Sequence, residues 1–352
     1  SYPPPDRVLG KPTIMKRVIL SLAVASVLGL SAGTAAAQTL KTIQSRGVLN
    51  CGANGNLAGF GLPDAQGNWT GFDVDYCRAI AAAIFNDPTK VKFVPLTAKD
   101  RFTALQSGEV DVLLRNTTWT SSRDTTNGLN FTGVNYYDGQ GFMVRKALKV
   151  NSAMELNDAA VCVQQGTTTE LNLSDYFRKN NMSFTPVVIE SANEIRDAFA
   201  KGRCDVLSDD ISGLAAVRVA LPNPENYVVL PDRISKEPLA PAVRHGDDQW
   251  LDVVRWTVHA VIEAEELGLT SANVDQHLQS KDPGIRRFLG LEPGLGQALG
   301  VDDKFAYNIV KHVGNYAEIY EKWLGRDSPL KLERGVNQLW SKGGLQYSPP
   351  FR

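Results

Sequence analysis

A repeat at a spacing of 94 residues is the feature that most restricts how this chain can fold. Residues 97–100 and 191–194 both begin with a hydroxyl residue followed three positions later by an acid, the pattern of a helix-capping box. At equal distances each is followed by a glycine, Gly108 or Gly202, and then by Asp-Val-Leu. Glycine is favoured just past a helix end. Each copy therefore predicts a helix, a glycine stop and a strand.

The same order extends upstream in both copies. A β-rich stretch precedes each capping pattern, and a helix precedes that stretch, starting after Asp73 in the first copy and running from about Thr168 to Asn180 in the second. A strand is predicted before each helix. Each half is thus β-α-β-α-β, which indicates mainly parallel sheets with right-handed crossovers and helices on both faces. The predicted fold class is α/β, with two pseudo-repeated lobes.

Polar residues follow the Asp-Val-Leu strand of each copy, at 115–118 and at 208–210. Ligands of open parallel sheets bind beyond the carboxyl ends of the strands. Two such edges facing each other would form a polar cleft between the lobes. A duplication could also produce two domains that share no site.

The first 37 residues are expected not to belong to the fold. Lys16-Arg17, the apolar run Val18–Leu30 and the alanines at 35–37 have the pattern of a cleaved secretory signal peptide, which we place at 15–37. Residues 1–14, upstream of Met15, are interpreted as read-through or an expression remnant. The mainly apolar run Val18–Leu30 has 13 residues and is too short to span a bilayer. Export to an oxidising compartment is therefore expected.

Charge and cysteine content narrow the function further. The chain has 37 basic and 38 acidic residues, without the basic surplus that nucleic-acid binding requires. Four cysteines in an exported protein favour disulfides over a metal site. Three pairings are possible, and the lobe organisation favours Cys51–Cys77 and Cys162–Cys204. No metal, cofactor or nucleic-acid partner is expected.

Several segments resemble the type II periplasmic binding proteins of the polar amino acid-binding family (solute-binding protein family 3). The resemblance is closer to the long subgroup of general L-amino acid-binding proteins that serve ABC importers. It lies roughly between Thr39 and Glu265, in these segments: Gly71–Asp75, Phe102–Asp111, Asn116–Arg123, Tyr136–Gly141 and Val163–Thr168. It implies two hinged lobes that close over a free L-amino acid, with an inner-membrane ABC permease as partner and a monomeric receptor.

The resemblance implies a clamp for the ligand carboxylate. Arg123 matches the arginine that holds it, and a planar guanidinium donates two parallel hydrogen bonds to a carboxylate. Further carboxylate contacts are implied for Thr118, the backbone of Asn116, and Thr167 with Thr168. The turn before the helix at Thr168 would itself favour an anion. A surface location is the alternative for Arg123.

The ligand ammonium needs a negative partner, because an unpaired buried ammonium is strongly unfavourable. The family spacing points to Asp210, with Asp209 as the alternative. Strand alternation sends these neighbours to opposite faces, so only one is expected to reach the ligand.

The loop Asn54–Gly61 departs from the family pattern, with Leu57 where an aromatic residue usually stacks on the ligand. Phe60, Trp119 and Tyr137 are candidate replacements, and core packing is the alternative for each. Asn54 is included among the candidate ligand contacts, since the loop contains three glycines that allow close backbone approach. Broad specificity is expected.

The expected organisation is lobe 1 at 38–144 and 240–267, lobe 2 at 145–239, and a helical extension at 268–352 packed on lobe 1. Hinge crossings are expected near Phe142–Arg145 and Glu237–Pro241. The extension is predicted to include a helix over Tyr307–Trp323.

Two other classes of function are weighed against a transport receptor. A secreted hydrolase or dehydratase could share this bilobal fold, but all four histidines follow lobe 2 and no nucleophile arrangement is visible, so no catalytic residue is assigned. A chemoreceptor or other interaction partner that uses the extension is the third class.

Overall fold

The structure, a computed structural model, describes residues 38–352. The predicted signal peptide at 15–37 and residues 1–14 lie outside this range. Among residues 38–352, no helix combines the length and hydrophobicity needed to cross a bilayer.

The first lobe is built on a five-stranded sheet in the order β4-β1-β5-β14-β6, in which β14 is the late strand Ala242–Arg244. Strands β4 and β5 both run parallel to β1, whereas β14, which arrives later in the chain, is antiparallel to β5 and β6. The first elements in chain order are α1 Thr39–Arg46, β1 Leu49–Ala53, β2 Leu62–Pro63, β3 Trp69–Thr70, α2 Phe72–Phe85, β4 Val91–Pro95, α3 Arg101–Ser107, β5 Val112–Leu113, α4 Ser121–Thr125, β6 Leu129–Phe131 and β7 Tyr136–Asp138.

The second lobe repeats this plan with the sheet order β10-β9-β11-β8-β12. Strands β10 and β11 are parallel to β9, and β8 is antiparallel to β11. Its elements are β8 Gln140–Arg145, β9 Ala159–Gln164, α5 Thr168–Lys179, β10 Phe184–Ile189, α6 Ala192–Ala200, β11 Val206–Asp210, α7 Ile211–Ala220 and β12 Tyr227–Val229, with short 3-10 turns at Lys146–Leu148, Ala153–Glu155 and Pro224–Asn226. The predicted α/β fold with two β-α-β-α-β lobes is confirmed.

The repeated motif has the same local structure in both lobes. The hydroxyls of Thr97 and Ser191 accept the amides of Asp100 and Glu194 at 3.1 and 3.3 Å, which satisfies free donors at the start of α3 and α6. The glycines past these helices, at 108 and 202, have φ angles of 81° and 79°. A residue with a Cβ is strained in this conformation, so the glycines end both helices before the strands begin.

Two adjacent strands carry the chain between the lobes. Strand β7 pairs antiparallel with β13 (Glu237–Leu239), and Glu237 lies opposite Asp138. The outward crossing is therefore at β7, a few residues before the predicted Phe142–Arg145, because β8 already pairs with β11 in the second sheet. The return crossing lies within the predicted segment Glu237–Pro241.

The chain then completes lobe 1 and continues into the extension. The remaining elements are β14 Ala242–Arg244, α8 Asp248–Glu266, α9 Pro283–Phe288, α10 Leu295–Leu299, α11 Phe305–His312 and α12 Tyr316–Trp323, with 3-10 turns at Gln276–Gln279, Gly335–Asn337 and Trp340–Lys342. The single helix predicted over Tyr307–Trp323 is two helices. Gly314 has a φ of 108°, and Asn315 forms a capping box with Glu318 that starts α12.

The extension shares the core of lobe 1. Phe72 of α2 lies edge-on to Tyr316 and Tyr320 of α12, at centroid distances of 5.9 and 6.4 Å. The indole nitrogen of Trp323 also donates to Asp75 of α2 at 2.6 Å. These contacts fix the extension on lobe 1 by apolar burial and by a hydrogen bond to a buried carboxylate.

Each lobe contains one disulfide, in the pairing that the repeat favoured. Cys51 on β1 is bonded to Cys77 on α2, and Cys162 on β9 is bonded to Cys204 before β11. The Cα–Cα distances are 6.2 and 5.7 Å, within the usual range. Each bond joins a strand of one sheet to a neighbouring element of the same lobe.

Candidate functional site

A cluster of buried charged residues lies between the lobes, where β5 and β11 end. Three arginines from lobe 1 (Arg101, Arg115 and Arg123) face two acids of β11 (Asp209 and Asp210) and the hinge acid Glu237. Buried charges are stable only when they are paired or hydrogen-bonded. The sequence predicts a polar cleft at the carboxyl ends of the Asp-Val-Leu strands. The charged residues of the two lobes lie at these strand ends.

Arg123 is part of this cluster and is only 7% exposed. Its Nη1 donates to the carbonyl oxygen of Thr118 at 2.8 Å. The guanidinium carbons of Arg123 and Arg101 both lie 4.9 Å from the ring centroid of Phe102. Burial lowers the pKa of Arg123 to about 10, while Glu237 and Asp210 oppose the change. The side chain thus remains a cation at neutral pH and faces the opposing acids.

Thr118 and Thr168 come from different lobes and reach the same carboxylate. Their hydroxyls both donate to Oε1 of Glu237, with a distance of 3.4 Å for Thr118. Ser235 donates to the other carboxylate oxygen at 3.0 Å. Glu237 is 2% exposed. From the sequence, Glu237 is predicted only as part of the return crossing. Its position at a crossing strand between two polar strand ends is the signal for a role in the site.

Thr167 and Asn116, two predicted contacts of the ligand carboxylate, form hydrogen bonds within the protein. The Thr167 hydroxyl accepts the Glu170 amide at 3.1 Å and donates to the carbonyl of Gln164 at 2.7 Å, so it caps α5. The Asn116 amide donates to Asp73 at 2.8 Å. These bonds occupy the Thr167 hydroxyl and the Asn116 amide in holding the two loops.

Asn116 also connects the loop that carries Asn54 to the cluster. It has a φ of 37°, and its side-chain oxygen accepts from Asn54 Nδ2 and Arg115 Nη1, both at 2.9 Å. Burial raises the pKa of Asp73 to about 6, against its hydrogen bond with the Asn116 backbone and the charge of Arg115. The hydrogen bond between the Asn54 and Asn116 side chains thus joins two loops of lobe 1 at the edge of the cleft.

The two acids of β11 lie in different surroundings. Asp209 lines the interlobe cavity, accepts the amide of Asp210 at 2.8 Å, and has its pKa raised to about 6 by burial. Asp210 is 7% exposed, and its pKa is raised well above the usual value by burial and by the neighbouring charges of Asp138, Asp209 and Glu237. The negative charge of Asp210 also stabilises the Arg123 cation.

A cavity of about 280 Å³ adjoins this cluster and is lined by both lobes. Lobe 1 contributes Asn116 and part of the loop between Asn54 and Leu62, including Leu57. Lobe 2 contributes the first turns of α6, the end of β11 and one side of α7. Among the described side chains that line it, Arg196 alone is positively charged, and its Nη2 donates to Asn193 at 3.2 Å.

The aromatic candidates lie outside this lining. Phe60 is 1% exposed and packs edge-on against Phe72 and Tyr136 in the core. Trp119 is 40% exposed and donates to Asp124 at 3.1 Å. The Tyr137 backbone pairs with Pro238 in the hinge. Leu57, in contrast, faces the cavity, so an aliphatic side chain lies at the position where the family pattern has an aromatic one.

Direct contacts across the cleft join the lobe edges. Asn193 donates to Asn56 at 3.3 Å, and Lys99 lies 3.7 Å from Glu190. Gly166 has a φ of 79°, and a Cβ there would lie 3.0 Å from the Cα of Lys99. Glycine at this position therefore allows both the turn before α5 and the close approach of lobe 1.

No group of three or more potential metal ligands is found among residues 38–352. Arginines, hydroxyls and acids that converge from two lobes are instead suited to a zwitterion, whose carboxylate and ammonium need opposite charges a few ångströms apart. A cavity beside them offers room for a side chain.

Two periplasmic or amino-acid-binding proteins are similar in sequence over almost the whole chain. The chain is 57% identical over 341 residues to the general L-amino acid-binding periplasmic protein AapJ of Rhizobium johnstonii, covering 96% of this chain and 100% of that protein. It is 54% identical to the glutamate/glutamine/aspartate/asparagine-binding protein BztA of Rhodobacter capsulatus, covering 92% and 96%.

One solved structure is also similar to this chain in sequence and in fold. The ABC transporter/periplasmic binding protein of Brucella ovis with glutathione bound is 56% identical, with a TM-score of 0.88, and the match covers 90% of this chain and 100% of that chain. The profile of the bacterial extracellular solute-binding proteins, family 3, matches residues 49–272. This match spans more than half of the sequence, and the chain therefore belongs to family 3 of the bacterial extracellular solute-binding proteins.

Proposed function

We propose that this protein is the periplasmic receptor of an ABC importer for L-amino acids. It binds a free amino acid between its lobes, closes over it at the β7–β13 hinge, and presents the closed form to an inner-membrane permease. The receptor acts as a monomer after its signal peptide has been removed. Relatives that bind amino acids, AapJ and BztA, support this function.

The observation that carries the proposal is that buried charges of opposite sign from the two lobes lie in one electrostatic cluster. Arg123 of lobe 1 and Asp210 of lobe 2 are both 7% exposed and act on each other electrostatically. The guanidinium receives the ligand carboxylate together with Thr118 and Thr168, and Asp210 receives the ammonium. Because the two charges belong to different lobes, a zwitterion between them favours the closed arrangement over the open one.

The cavity beside the clamp receives the ligand side chain. It has apolar walls from Leu57, Leu207 and Val217, amides from Asn54 and Gln164, and charges of both signs from Asp209 and Arg196. Such a mixed lining suits several classes of side chain, which agrees with broad specificity. The Brucella ovis relative was solved with glutathione, a ligand with more than one carboxylate, and Arg196 is positioned for a second carboxylate.

Calorimetry of the purified protein tests this function directly. Bound ligand is first removed by unfolding and refolding with the disulfides intact, and the protein is then titrated with the twenty L-amino acids and their D-forms. Affinity near micromolar, about −8 kcal/mol, is expected for several L-forms. A protein that refolds with its native thermal transition yet binds no amino acid would contradict the proposed function.

A catalytic role is the second candidate, because raised carboxyl pKa values in a cleft are also typical of proton-transfer sites. Asp209 and Asp210 have this property. They are adjacent on one strand, where side chains alternate between faces, which does not favour an acid–base pair acting on one substrate. Incubation with amino acids and prephenate-like substrates separates the two functions: a receptor returns its ligand unchanged, whereas an enzyme forms product.

A further inference from the structure

One oxygen of Glu237 connects the two halves of the proposed carboxylate clamp. Glu237 begins β13, the strand that returns the chain from lobe 2 to lobe 1. Its Oε1 accepts hydrogen bonds from the hydroxyl of Thr118 in lobe 1 and from that of Thr168 in lobe 2. These are the two hydroxyls that the proposed function assigns to the ligand carboxylate.

The position of this carboxylate is fixed by further contacts. Ser235 donates to Oε2 at 3.0 Å, and the hydroxyl of Ser235 accepts the amide of Gln140 at 3.2 Å. Glu237 also lies opposite Asp138 in the hinge ladder and is 2% exposed. A buried, hydrogen-bonded carboxylate held on both oxygens is a built feature of the hinge rather than a mobile surface side chain.

Glu237 also shares the electrostatic surroundings of the clamp. Its charge stabilises the Arg123 cation more strongly than that of Asp210 does. It acts on the two β11 acids as a like charge. The carboxylate of Glu237 therefore holds the two hydroxyls that a ligand carboxylate needs, and it lies in the electrostatic field of the same guanidinium without a direct ion pair to it.

Hydrogen-bond accounting makes the two carboxylates incompatible. A threonine hydroxyl has one hydrogen to donate and two lone pairs that accept. When the hydrogens of Thr118 and Thr168 point to Glu237, the lone pairs of both hydroxyls face the rest of the cleft. A ligand carboxylate placed there meets two acceptors and a like charge instead of two donors.

We propose that Glu237 is an internal competitor of the ligand, whose carboxylate holds the Thr118 and Thr168 hydroxyls in the free receptor and gives them up to the ligand carboxylate on binding. This inference rests on the proposed function and adds a residue that limits affinity. The competition lowers the affinity for every amino acid by the same factor, since all ligands share the α-carboxylate. It also helps the clamp to release its ligand to the permease.

The test is calorimetry of Glu237→Gln in the full chain, purified and stripped like the wild type. Alanine, glutamate and arginine are the probes, since their side chains differ in charge while their head groups do not. The amide is a weaker acceptor and carries no charge, so we expect all three ligands to bind about tenfold more tightly. The matched control is Glu225→Gln, which removes an exposed carboxylate on the 3-10 turn Pro224–Asn226 of lobe 2 and is expected to leave affinities within about twofold.

Unchanged or weaker binding of any of the three ligands to Glu237→Gln would overturn the inference, because the loss of a competitor for the shared α-carboxylate must strengthen the binding of all of them. A wild-type protein that binds none of the probes would instead refute the proposed function. If Glu237→Gln does not fold, as judged by thermal unfolding, Ser235→Ala replaces it. This variant removes the anchor on Oε2 together with the acceptor of the Gln140 amide, and we expect a smaller gain in affinity in the same direction.

Discussion

Arg123 and Thr118, five residues apart, are joined by a 2.8 Å hydrogen bond from the guanidinium to the carbonyl oxygen. The guanidinium also packs against the ring of Phe102, which Arg101 contacts at the same 4.9 Å distance. The hydrogen bond occupies one N–H group of the guanidinium, and the Phe102 ring packs beside the guanidinium carbon. The orientation of Arg123 is therefore set by lobe 1 alone, before lobe 2 contributes.

Replacing Arg123 is expected to abolish detectable binding. Arg123→Ala leaves the ligand carboxylate buried without its cation, which costs about 3–5 kcal/mol, or more than a hundredfold in affinity. Arg123→Lys keeps the charge but loses the planar fork and the stacking on Phe102, and a substantial loss is expected there too. Titration with the best wild-type ligand measures both effects.

The control is Arg178→Ala, since Arg178 is 81% exposed on α5 and pairs only with Asp175 in the structure. Its affinity should equal that of the wild type. If Arg123→Ala binds the ligand with an affinity within tenfold of that of the wild type, the ligand carboxylate must bind elsewhere in the cleft.

The two acids of β11 are expected to act on different parts of the ligand. Asp210 lies in the field of Arg123 and Glu237, whereas Asp209 lines the side-chain cavity. Asp210→Asn should weaken every amino acid by more than about a hundredfold, because the ammonium loses its buried counter-charge. Asp209→Asn should change the ranking among ligands, with arginine weakened most. If Asp209→Asn, and not Asp210→Asn, weakens every amino acid, then Asp209 binds the ammonium and Asp210 does not.

Arg196 is expected to set the affinity for acidic ligands. It is the cation of the cavity lining and lies one helical turn from the N-terminus of α6. Arg196→Gln should weaken glutamate and aspartate by about tenfold, since a charge-assisted hydrogen bond is lost, while alanine is unaffected. Arg218→Gln, on the neighbouring helix α7, is the control. Equal losses for glutamate and alanine would show that Arg196 supports the lobe and does not read the side chain.

Ligand affinity is expected to fall on acidification. Burial raises the pKa of Asp209 to about 6 and that of Asp210 well above its usual value. The ligand ammonium needs an ionised Asp210, and a basic side chain in the cavity needs an ionised Asp209. Protonation of these acids in the free receptor therefore competes with the binding of a ligand such as arginine. The affinity should decrease progressively as the pH is lowered from 8 towards 5, and binding should release protons near pH 6. Calorimetry in buffers of different ionisation enthalpy measures this release.

A binding constant that does not change between pH 8 and 5 would show that both acids are already ionised in the free protein. Asp209→Asn separates the contributions, because any remaining pH dependence then belongs to Asp210 and to groups coupled with it.

Local sequence patterns were sufficient to predict the lobes. The paired glycines at 108 and 202, the hydroxyls at 97 and 191, and the repeated strands each have a short-range physical cause, so their spacing reveals the duplication. The disulfides follow from the same logic, since cysteines within one lobe are brought together by the repeat.

The interior of the site depends on contacts between distant segments and could not be predicted in the same way. Three roles arise from residues far apart in sequence or from side-chain orientation: that of Glu237, that of the Phe102 ring beside two guanidiniums, and that of Asp73, which accepts the Asn116 backbone amide. Phe60 shows the converse: an aromatic residue in a glycine-rich loop suggests a ligand contact, but the loop folds back and buries the ring against Phe72.

The C-terminal extension is expected to support lobe 1 through a buried ion pair. Arg334 donates to both carboxylate oxygens of Glu265 on α8, at 2.6 and 3.0 Å, and the two side chains are 5% and 7% exposed. Arg334→Met leaves Glu265 buried without its counter-charge and should lower the free energy of unfolding by about 3–5 kcal/mol. Adding Glu265→Gln should restore much of the loss, because the uncompensated charge disappears.

Denaturant unfolding measures the stability of both variants, with Arg326→Ala as the control, since Arg326 is 76% exposed. Ligand affinity at a temperature where every variant is folded should be unchanged, because the pair lies on α8 and the extension and the clamp lies between β5 and β11. A folded Arg334→Met variant with tenfold weaker binding would mean that the extension acts on the cleft as well as on the core of lobe 1.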